Sequence, residues 1–587
     1  MSPQSAEPAV PTASASSISP TFLGFASASR ALSSKSSIGR GNKPCLGRGG
    51  KFEFRSQIPD ELPGPSLKFA LPNPSRLVTG ARGTFNAAGR AHMYFIGVDN
   101  GAARTRTVVL NLETASLVAQ SEQSYGLIQG LPSGHREQDP SLWVHAVDNT
   151  VRDCLSQLGE GRSRVAGMGV SGQSHGMVLL DAENRIVRPA KLAGDRSAER
   201  QCEELSRAFG GAPGLIELTG NALHSSLMAP RMRWLKQNEP YYFQRVVSCL
   251  SPHDFLNYWL GGVKRSEYGE ASASGFLNVC TRRWCRELTD YIDPRLGDML
   301  PAVGSSREAV GELRPELARE WGISEEVLLS AGGTEEMMTA LGAGAATNGA
   351  VSISTNVSAT ICGVSDRPVI DPHGEVAAYC DATDRWMPLA RNAAAAACSE
   401  QVQRHYGWNL EQLEAALLAG EPGAHGLMFL PLPASGKHSE GTGALVGITG
   451  ANFSPVNVAR ASTEALALEF GRGLRRMIQL GFSPSDVHLS GRIASHPSWR
   501  QLLADVLGLP VLTAKPQSCS ALGAALQAAV TFFRQRGENL SYSEMTSYAV
   551  LPEQQTLCSP NIQRHEFYRE LMERQDRLAE SLRDDVI

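Results

Sequence analysis

The sequence contains no run of about 18 uncharged apolar residues, so we expect no helix that crosses a membrane. Its formal net charge is only −4 at pH 7, without the basic excess that binding to nucleic acid or to an anionic membrane requires. The 11 cysteines are scattered, with no CxxC pair and no zinc-ligand spacing. This pattern favours free thiols in a reducing compartment, and no cysteine-based metal site is expected.

What the chain does have is length. With 587 residues, of which 42% are hydrophobic and 19% charged, it can bury two sizeable cores. Residues 1–50 are rich in Ser, Ala, Pro and Gly, and contain one acidic residue (Glu7) against five basic ones. This composition predicts that residues 1–90 include a transit peptide, with a plastid favoured over a mitochondrion by the serine content. The alternative is a disordered extension on a cytoplasmic protein.

Between residues 91 and 550, short β-type runs alternate with helical stretches. Residues 94–98 and 105–112 predict a hairpin around Asp99-Asn100-Gly101. A second round of strands followed by helices begins near Ala350. The repetition predicts an α/β fold with two similar domains, residues 91–345 and 346–550, followed by a polar helical tail, residues 551–587, with a solvated charged face.

The segment from Val487 to Ala528 is the most informative stretch. It reads as a strand ending at Ser490, a turn at Gly491, a helix from Pro497, a second strand and a helix rich in small residues. A glycine turn between a strand and a helix exposes backbone N–H groups, which is how α/β proteins bind phosphate or adenosine. An ordinary packing unit of an α/β domain has the same pattern, so both interpretations remain open.

Five segments together resemble the FGGY carbohydrate kinases, and among them the xylulokinases, over roughly residues 94–533. In chain order they are YFIGVDNGAARTRTVVLN, REQDPSLW, GVSGQSHGMVLLD, TGNALHSSLMAPRMRWLKQNEP and the segment from Val487 to Ala528. The resemblance implies two ribonuclease H-like, actin-like ATPase domains with a catalytic cleft between them. It also implies ATP- and Mg²⁺-dependent phosphorylation of a sugar, with D-xylulose favoured over ribulose or a polyol. The implied protein is a monomer or homodimer without nucleic-acid or membrane partners.

The first segment resembles the family's first phosphate-binding turn. Asp99 and Gly101 stand at matching positions, while Ala102 and Ala103 replace the usual hydroxyl-bearing residues and Arg104 follows. By resemblance, Asp99 orients Mg²⁺ or its waters, and Gly101 and Arg104 face the phosphates of ATP. Asp-Asn-Gly is also excellent hairpin chemistry in any protein, so a plain turn is the alternative.

The turn GQSHG at residues 172–176 resembles the family's sugar-binding turn. Gln173 and His175 carry groups that donate and accept hydrogen bonds toward vicinal hydroxyls, and the flanking glycines allow the backbone to approach the ligand. Ser174 replaces a methionine that is frequent in xylulokinases. Asp195 follows at the place of the family's Trp-x-Asp segment and is a weaker candidate.

The position that decides the chemistry is Glu335, in AGGTEEMMTALGAG. The family carries Gly-Gly-Asp here, and by resemblance this carboxylate is the general base for the sugar hydroxyl. Glu335 has the same chemical group, but its extra methylene moves the carboxylate by about 1.5 Å unless the backbone compensates. Glu336 is a second acid on the substrate side. The alternative is an ordinary helix N-terminus, where acids are favoured and Thr334 serves as the cap.

Further departures from the family fall at nucleotide positions. Thr355 is retained as a phosphate hydroxyl. Gly491 and Arg492 begin the adenosine loop, which lacks two of the usual glycines, and Gly523 and Ala524 complete it. Because the departures concentrate at the ATP and base positions, a catalytically weakened sugar-binding or regulatory protein is a second hypothesis. A third is an actin-like ATPase with a protein partner, against which the sugar turn argues.

Overall fold

The structure is a computed structural model that describes residues 93–355, 359–391, 393–432, 442–514, 518–550 and 554–586. The predicted transit segment, residues 1–90, lies outside the described residues, as does Asn356, which follows the predicted phosphate-binding Thr355. Within these ranges, no helix has both the length and the apolar character needed to span a membrane. Cys280 is an exposed free thiol and Cys285 a buried one.

The first half of the described chain is rich in strands. Its strands are β1 (Tyr94–Asn100), β2 (Arg104–Asn111), β3 (Ser116–Ser124), β4 (Glu137–Gln138), β5 (Val165–Gly172), β6 (Val178–Leu180), β7 (Ala190–Lys191), β8 (Ser248–Leu250), β9 (Arg265–Glu267), β10 (Leu277–Asn278), β11 (Arg283–Trp284), β12 (Ala302–Gly304), β13 (Ala309–Glu312), β14 (Leu328–Ser330) and β15 (Gly333–Thr334). Its helices are α1 (Pro140–Leu158), α2 (Glu199–Ala208), α3 (Gly211–Thr219), α4 (Met228–Asn238), α5 (Pro240–Arg245), α6 (Pro252–Gly261), α7 (Tyr268–Ser272), α8 (Arg286–Ile292), α9 (Leu296–Met299), α10 (Pro315–Trp321) and α11 (Glu335–Gly342).

The second half has longer helices. Its strands are β16 (Ala350–Ser354), β17 (Thr360–Gly363), β18 (Ala377–Cys380), β19 (Trp386–Arg391), β20 (Met428–Leu432), β21 (Thr442–Val446), β22 (Asp486–Ser490) and β23 (Val511–Thr513). Its helices are α12 (Ala393–Tyr406), α13 (Leu410–Ala419), α14 (Pro455–Gln479), α15 (Pro497–Leu507), α16 (Cys519–Gln535), α17 (Tyr542–Ala549) and α18 (Ile562–Val586).

Two mixed sheets share one topology. The strand order is β13-β14-β5-β1-β2-β3 in the first sheet, with β15 also paired to β5, and β18-β19-β17-β16-β22-β23 in the second. Each sheet contains an antiparallel meander, β1-β2-β3 or β16-β17-β19. On the other side of β1 and β16, the next strands are added in parallel. This repetition confirms the predicted α/β fold with two sheet-containing domains.

The predicted hairpin around Asp99 is present. β1 and β2 pair antiparallel, and the turn is closed by the Gly101 N–H, which donates to Arg104 O at 3.0 Å. Phe95 and Ile96 are fully buried because β1 lies in the middle of the first sheet. A central strand is covered on both faces, so it carries a nearly continuous apolar run, and here that run ends at Asp99.

Helix α16 belongs to the C-terminal half of the sequence but packs on the first sheet. A side chain at Gly97 of β1 or Gly169 of β5 would collide with the backbone carbonyls of α16. α11 is equally close, because a side chain at Gly523 would collide with Met338 O. The sequence shows this helix to be rich in small residues, and the structure explains them by close packing against neighbouring elements.

The C-terminal tail forms α18, as predicted, but one of its faces is buried. Tyr568, Leu571 and Met572 belong to the core of the second half. The Tyr568 hydroxyl donates to Glu464 at 2.9 Å and accepts from Arg460 at 2.6 Å. The prediction of a solvated helix therefore missed an anchored face.

Candidate active site

A cavity of about 570 Å³ lies where the strands β5, β15, β16 and β19 end. Small-molecule sites usually measure roughly 300 to 1,000 Å³, so the cavity is large enough for a ligand. The predicted sugar and base residues Gln173, Ser174, His175, Glu335 and Glu336 all line it. The other lining residues are Ala102, Arg136, Ala193, Gly194, His224, Ser226, Thr339, Ser354, Thr360 and Arg391.

Gln173 lines this cavity, and the nitrogen of its side-chain amide is buried. Its backbone N–H donates to Asn100 O at 2.8 Å, which fixes the residue beside β1. The side chain is 4% exposed, and its Nε2 has no hydrogen-bond partner among the described residues. An unpartnered buried donor is unfavourable by about 1–3 kcal/mol, and a ligand oxygen in the cavity would satisfy it.

His175 is held in one tautomer. Its Nδ1 lies 3.0 Å from Ala273 O, and its Nε2 lies 2.9 Å from Arg391 Nη2. Because a guanidinium only donates and a carbonyl only accepts, Nε2 is the acceptor and Nδ1 carries the proton. Burial, reinforced by the positive charges of Arg391 and Arg231, lowers the pKa of His175 well below its usual value. The imidazole is therefore neutral at physiological pH.

The glycines of the sugar turn serve packing. A side chain at Gly172 would collide with His253, and a side chain at Gly176 would collide with Pro252, both at the start of α6. The left-handed residue of the turn is instead His175, with φ 59°. The structure therefore explains both glycines by their packing against α6, and a close approach of the backbone to the ligand stays a prediction.

Glu336 connects the sugar turn to the second sheet. It accepts a short hydrogen bond from Ser174 Oγ, and its Oε1 lies 3.4 Å from Arg391 Nη2. Arg391 is the last residue of β19, so it reaches the cavity from the second half of the chain. Sequence reasoning missed Arg391, and the one signal for it was a lone arginine directly after the apolar strand WMPLA.

Asp99 and Glu335 are partly buried acids whose charges interact. Burial first, then the negative charges of Asp99 and Glu336, raises the pKa of Glu335 well above its usual value. Burial also raises the pKa of Asp99, against the opposing effect of hydrogen bonds from Ser520 and Ser171. Each carboxylate disfavours the charge of the other, so this is a place where a divalent cation would be stabilising.

Glu335 opens α11, as predicted, but Thr334 does not cap the helix. Thr334 occupies the N-cap position with extended backbone (φ −70°, ψ 160°), yet its side chain makes no capping hydrogen bond. Glu335 and Glu336 both lie in the first turn, where the helix dipole favours negative charge. The predicted cap was therefore wrong, and the favourable dipole is compatible with a role for Glu335 in chemistry.

The other residues of the first phosphate turn lie nearer the surface. Arg104 is exposed, and its guanidinium lies 3.7 Å from Glu122. Ala102 lines the cavity, so the turn between Gly101 and Arg104 borders the candidate substrate space. The contacts of Gly101 and Arg104 with phosphates stay predictions.

Thr355 and Arg492 line a second cavity, which measures only about 70 Å³. Ser354 lines the first cavity, so the end of β16 lies between the two spaces. Thr355 Oγ1 is buried and has no hydrogen-bond partner in the described part of the chain. Arg492 Nη2 lies 3.3 Å from Glu400 Oε1, and both side chains are exposed. The space is too small for a purine, so a nucleotide base at this place requires the Arg492–Glu400 pair to open.

The remaining residues assigned to adenosine have a clear packing explanation. Gly491 has φ 89°, in the left-handed region that favours glycine. Gly523 and Ala524 lie against α11 and β5 and do not line either of these two cavities. Their contact with adenosine stays a prediction.

Asp195 belongs to a buried salt-bridge cluster. It accepts a hydrogen bond from Arg136 N at 2.8 Å and lies 3.3 Å from Lys191 Nζ. Lys191 Nζ also lies 2.9 Å from Glu137 Oε1, so a lysine supplies the positive charge that these acids need. Gly194 lines the cavity and Asp195 does not, so the contacts that the structure shows for Asp195 are those of the salt-bridge cluster, and its contact with the sugar stays a prediction.

Beneath the base-bearing segment lies a second buried cluster, formed by His253, Asp254, Glu267 and Glu270. His253 Nδ1 lies 3.1 Å from Asp254 Oδ1 and 3.7 Å from Glu270 Oε2. Burial opposes protonation of His253, but the hydrogen bond and charge of Asp254, with Glu270 and Glu267, raise its pKa to about 9. Burial raises the pKa of Glu267 to about 7. His253 is therefore a cation at neutral pH.

The raised pKa of His253 predicts a pH-dependent stability. Its ordinary value is 6.5, so the stabilisation is complete below pH 6.5 and is lost as the pH rises through about 9. Between pH 7.5 and 9.5 this loss is about 2 kcal/mol of unfolding free energy. Urea denaturation of the wild type and of His253→Gln at both pH values measures it. The wild type should lose more stability than the variant, and equal losses would contradict the assignment.

The position of Arg391 predicts a role in sugar binding. Arg391→Met removes the donor to His175 Nε2 and leaves Glu336 without its cation, so we expect the KM for the sugar to rise about tenfold, equivalent to about 1.4 kcal/mol. Steady-state kinetics check this. The matched control is Arg136→Met, an exposed arginine at the same cavity, which should change KM less than about twofold. Equal effects of the two substitutions would contradict a specific role.

Comparison with known proteins agrees with this arrangement. Models of the FGGY family of carbohydrate kinases match the chain in two parts, the N-terminal domain over residues 94–342 and the C-terminal domain over residues 351–532. The chain therefore belongs to the FGGY family of carbohydrate kinases. This confirms the family, the fold and the enzyme class expected from the five sequence segments.

Several relatives are xylulose kinases. The xylulose kinase of Haemophilus influenzae is 30% identical over 444 residues, 74% of this chain and 90% of that protein. The xylulose kinase of Escherichia coli is 30% identical over 424 residues, 70% of this chain and 85% of that protein. A ligand-bound xylulose kinase from Lactobacillus acidophilus superposes with a TM-score of 0.76 at 20% identity, covering 84% of this chain and 98% of that chain. A gluconate kinase from the same organism gives a TM-score of 0.75 at 20% identity, with the same coverage of 84% and 98%. The shared fold is therefore compatible with different sugars.

Proposed function

We propose that this carbohydrate kinase transfers the γ-phosphate of ATP to a hydroxyl of a ketopentose, with D-xylulose the first candidate and D-xylulose 5-phosphate the product. One observation carries the proposal: Glu335 lines the same cavity as Gln173 and His175. The relatives named xylulose kinase support the choice of sugar. Ribulose, another ketose or a polyol fits the same chemistry and is distinguished by experiment.

In this proposal each residue has a stated role. Gln173 Nε2 donates to a sugar oxygen, since it has no hydrogen-bond partner among the described residues. His175, Glu336 and Arg391 hold one another across the cavity and shape the sugar site. Glu335, once deprotonated, accepts the proton of the hydroxyl that attacks phosphorus. Its raised pKa makes it a stronger base than an ordinary glutamate, which suits a transfer near neutral pH.

The residues present also fit ATP and Mg²⁺. Asp99 offers a carboxylate oxygen, the ligand that Mg²⁺ prefers, and Thr355 offers a buried hydroxyl that has no hydrogen-bond partner among the described residues. Bound Mg²⁺ neutralises negative charge on the phosphates and on the two neighbouring acids. Arg492 is positioned to pair with a phosphate when it leaves Glu400, an exposed contact whose loss costs little.

A second candidate function is that of a catalytically weakened sugar-binding protein on the same scaffold. The observation in its favour is the second cavity, which is small and bordered by the Arg492–Glu400 pair. If that pair does not open, the sugar site is complete but no nucleotide base enters. This candidate predicts sugar binding without turnover.

A coupled assay of ADP release with a panel of sugars separates these candidates. The panel contains D-xylulose, D-ribulose, other ketoses and the matching polyols, and calorimetry measures sugar binding in parallel. The proposal expects sugar-dependent ADP release with the highest kcat/KM for a ketopentose. Sugar binding without ADP release would support the second candidate, a catalytically weakened sugar-binding protein. A higher kcat/KM for a polyol than for any ketopentose would change the assigned substrate from a ketopentose to a polyol.

A further inference from the structure

We propose that Gln527 and Asn257 are positioning residues for Glu335. They hold the backbone of Ala331 and Gly332, four and three residues before the base, and so set where the glutamate side chain, longer than the aspartate expected there, ends. The inference rests on the proposed function and goes beyond it, because neither residue lines the candidate active-site cavity.

Gln527 binds both backbone polar groups of one residue. It lies in α16 and is fully buried. Its Oε1 accepts from Gly332 N at 2.6 Å, and its Nε2 donates to Gly332 O at 2.9 Å. A single side-chain amide therefore takes the place that a neighbouring strand would have in a sheet, and it fixes the peptide plane on either side of Gly332.

The preceding carbonyl is held from the other side. Asn257 Nδ2 donates to Ala331 O at 2.8 Å, and His253 Nε2 lies 2.5 Å from the same oxygen. Gly332 has φ 77°, and a side chain on it would collide with His253 and with the carbonyl of Val170. The segment is thus fixed by hydrogen bonds on two sides and by close packing.

This support is transmitted to Glu335 over a short distance. Gly333 and Thr334 pair with Ser171 and Gly172 of β5, and Glu335 follows at once. A displacement of reacting groups by about 1 Å lowers a rate on the order of 10²-fold. Glutamate carries its carboxylate one methylene farther from the backbone than the aspartate expected at this position. A fixed backbone is therefore what allows the longer side chain to reach a defined point.

The same helix also packs against the strand that carries the other acid of the site. A side chain at Gly97 of β1, two residues before Asp99, would collide with Ala521 O of α16, six residues before Gln527. Between these points, Gly523 packs against the backbone of α11, which begins at Glu335. One helix therefore sets the relative positions of Asp99 and Glu335.

The test is Gln527→Leu, which keeps a similar volume but removes both hydrogen bonds to Gly332, together with the longer one from Nε2 to Ala382 O at 3.4 Å. We expect kcat to fall at least about tenfold, while the KM and the calorimetric Kd for the sugar stay within about twofold. The matched control is Thr531→Val, one turn along α16. Thr531 is also fully buried, but its hydroxyl has no hydrogen-bond partner among the described residues, so this substitution removes a polar group without removing a hydrogen bond to the base-bearing segment. This control should leave kcat unchanged. A Gln527→Leu enzyme with wild-type kcat, or with a raised KM only, would overturn the proposal.

Asn257→Leu tests the same segment independently and should show the same separation of kcat from KM. A double-mutant cycle then separates a specific positioning of Glu335 from a nonspecific destabilisation of the structure. In the Glu335→Gln background, Gln527→Leu should lower the residual kcat by less than about twofold, because the group it positions is already absent. A full additional loss in that background would overturn the proposal.

If the wild type shows no sugar-dependent turnover, the proposed function itself fails. If the wild type is active and these variants match it, only the positioning role fails.

Discussion

Replacing Glu335 by glutamine is expected to lower kcat for ketose phosphorylation by about 10²- to 10⁴-fold, with the KM for the sugar changed less than about threefold. Glutamine has nearly the same shape and fills the same place in the cavity, but it accepts no proton at neutral pH. The loss therefore reports proton transfer in the transition state. Initial rates of ADP release with saturating sugar measure kcat, and calorimetry verifies that the sugar still binds.

Two further variants make this result specific. Glu336→Gln removes the neighbouring acid, which contacts Ser174 and Arg391 but has no proposed role in proton transfer, so its effect should fall on KM. Glu335→Asp keeps the carboxylate but withdraws it by about 1.5 Å, and we expect a kcat loss on the order of 10²-fold, although aspartate is the family's residue. A Glu335→Gln enzyme with nearly wild-type kcat would exclude Glu335 as the base.

Replacing Asp99 by asparagine is expected to lower kcat by about 10²-fold and to raise the Mg²⁺ concentration needed for half-maximal activity at least about tenfold. Asparagine keeps the hydrogen bond from Ser171 (3.3 Å in the wild type) but loses the charge that attracts the metal. Sugar binding should be unaffected, because Asp99 does not line the substrate cavity. Titration of initial rates with Mg²⁺ at fixed ATP measures both effects.

The matched control for Asp99 is Glu122→Gln, which removes an exposed acid beside Arg104 and Arg106 on the same hairpin. Its Mg²⁺ dependence should equal that of the wild type, since exposed ion pairs contribute little. If Asp99→Asn leaves the Mg²⁺ dependence unchanged, the metal assignment to this turn is wrong, and the acid is then a structural part of the hairpin.

The sugar side of the site could be predicted from the sequence because its residues lie at strand ends that a short pattern marks. Gln173 and His175 follow β5, and Glu335 follows β15, so adjacent parallel strands bring them to one cavity. Arg391 follows β19 in the other sheet. Whether Arg391 reaches the cavity depends on how the two sheets face each other, and no local sequence pattern predicts that arrangement.

The nucleotide side was less predictable, because small residues there serve close packing as well as ligand approach. Gly523 looked like part of an adenosine loop, and the structure explains it by the contact of α16 with α11. The hydrogen bonds of Gln527 join residues 195 positions apart in sequence, so nothing near either residue indicates them. The plastid destination of residues 1–90 stays a prediction, since that segment lies outside the described residues.

The most direct measurement is ³¹P NMR of the purified protein with ATP, Mg²⁺ and D-xylulose. Glu335 and the sugar-site groups in one cavity predict a new sugar phosphate monoester signal that grows in step with ADP and is absent with Glu335→Gln. Two results would contradict the proposed sugar kinase activity. One is a signal of inorganic phosphate in place of the monoester, and the other is an unchanged ATP signal while calorimetry shows that the sugar is bound.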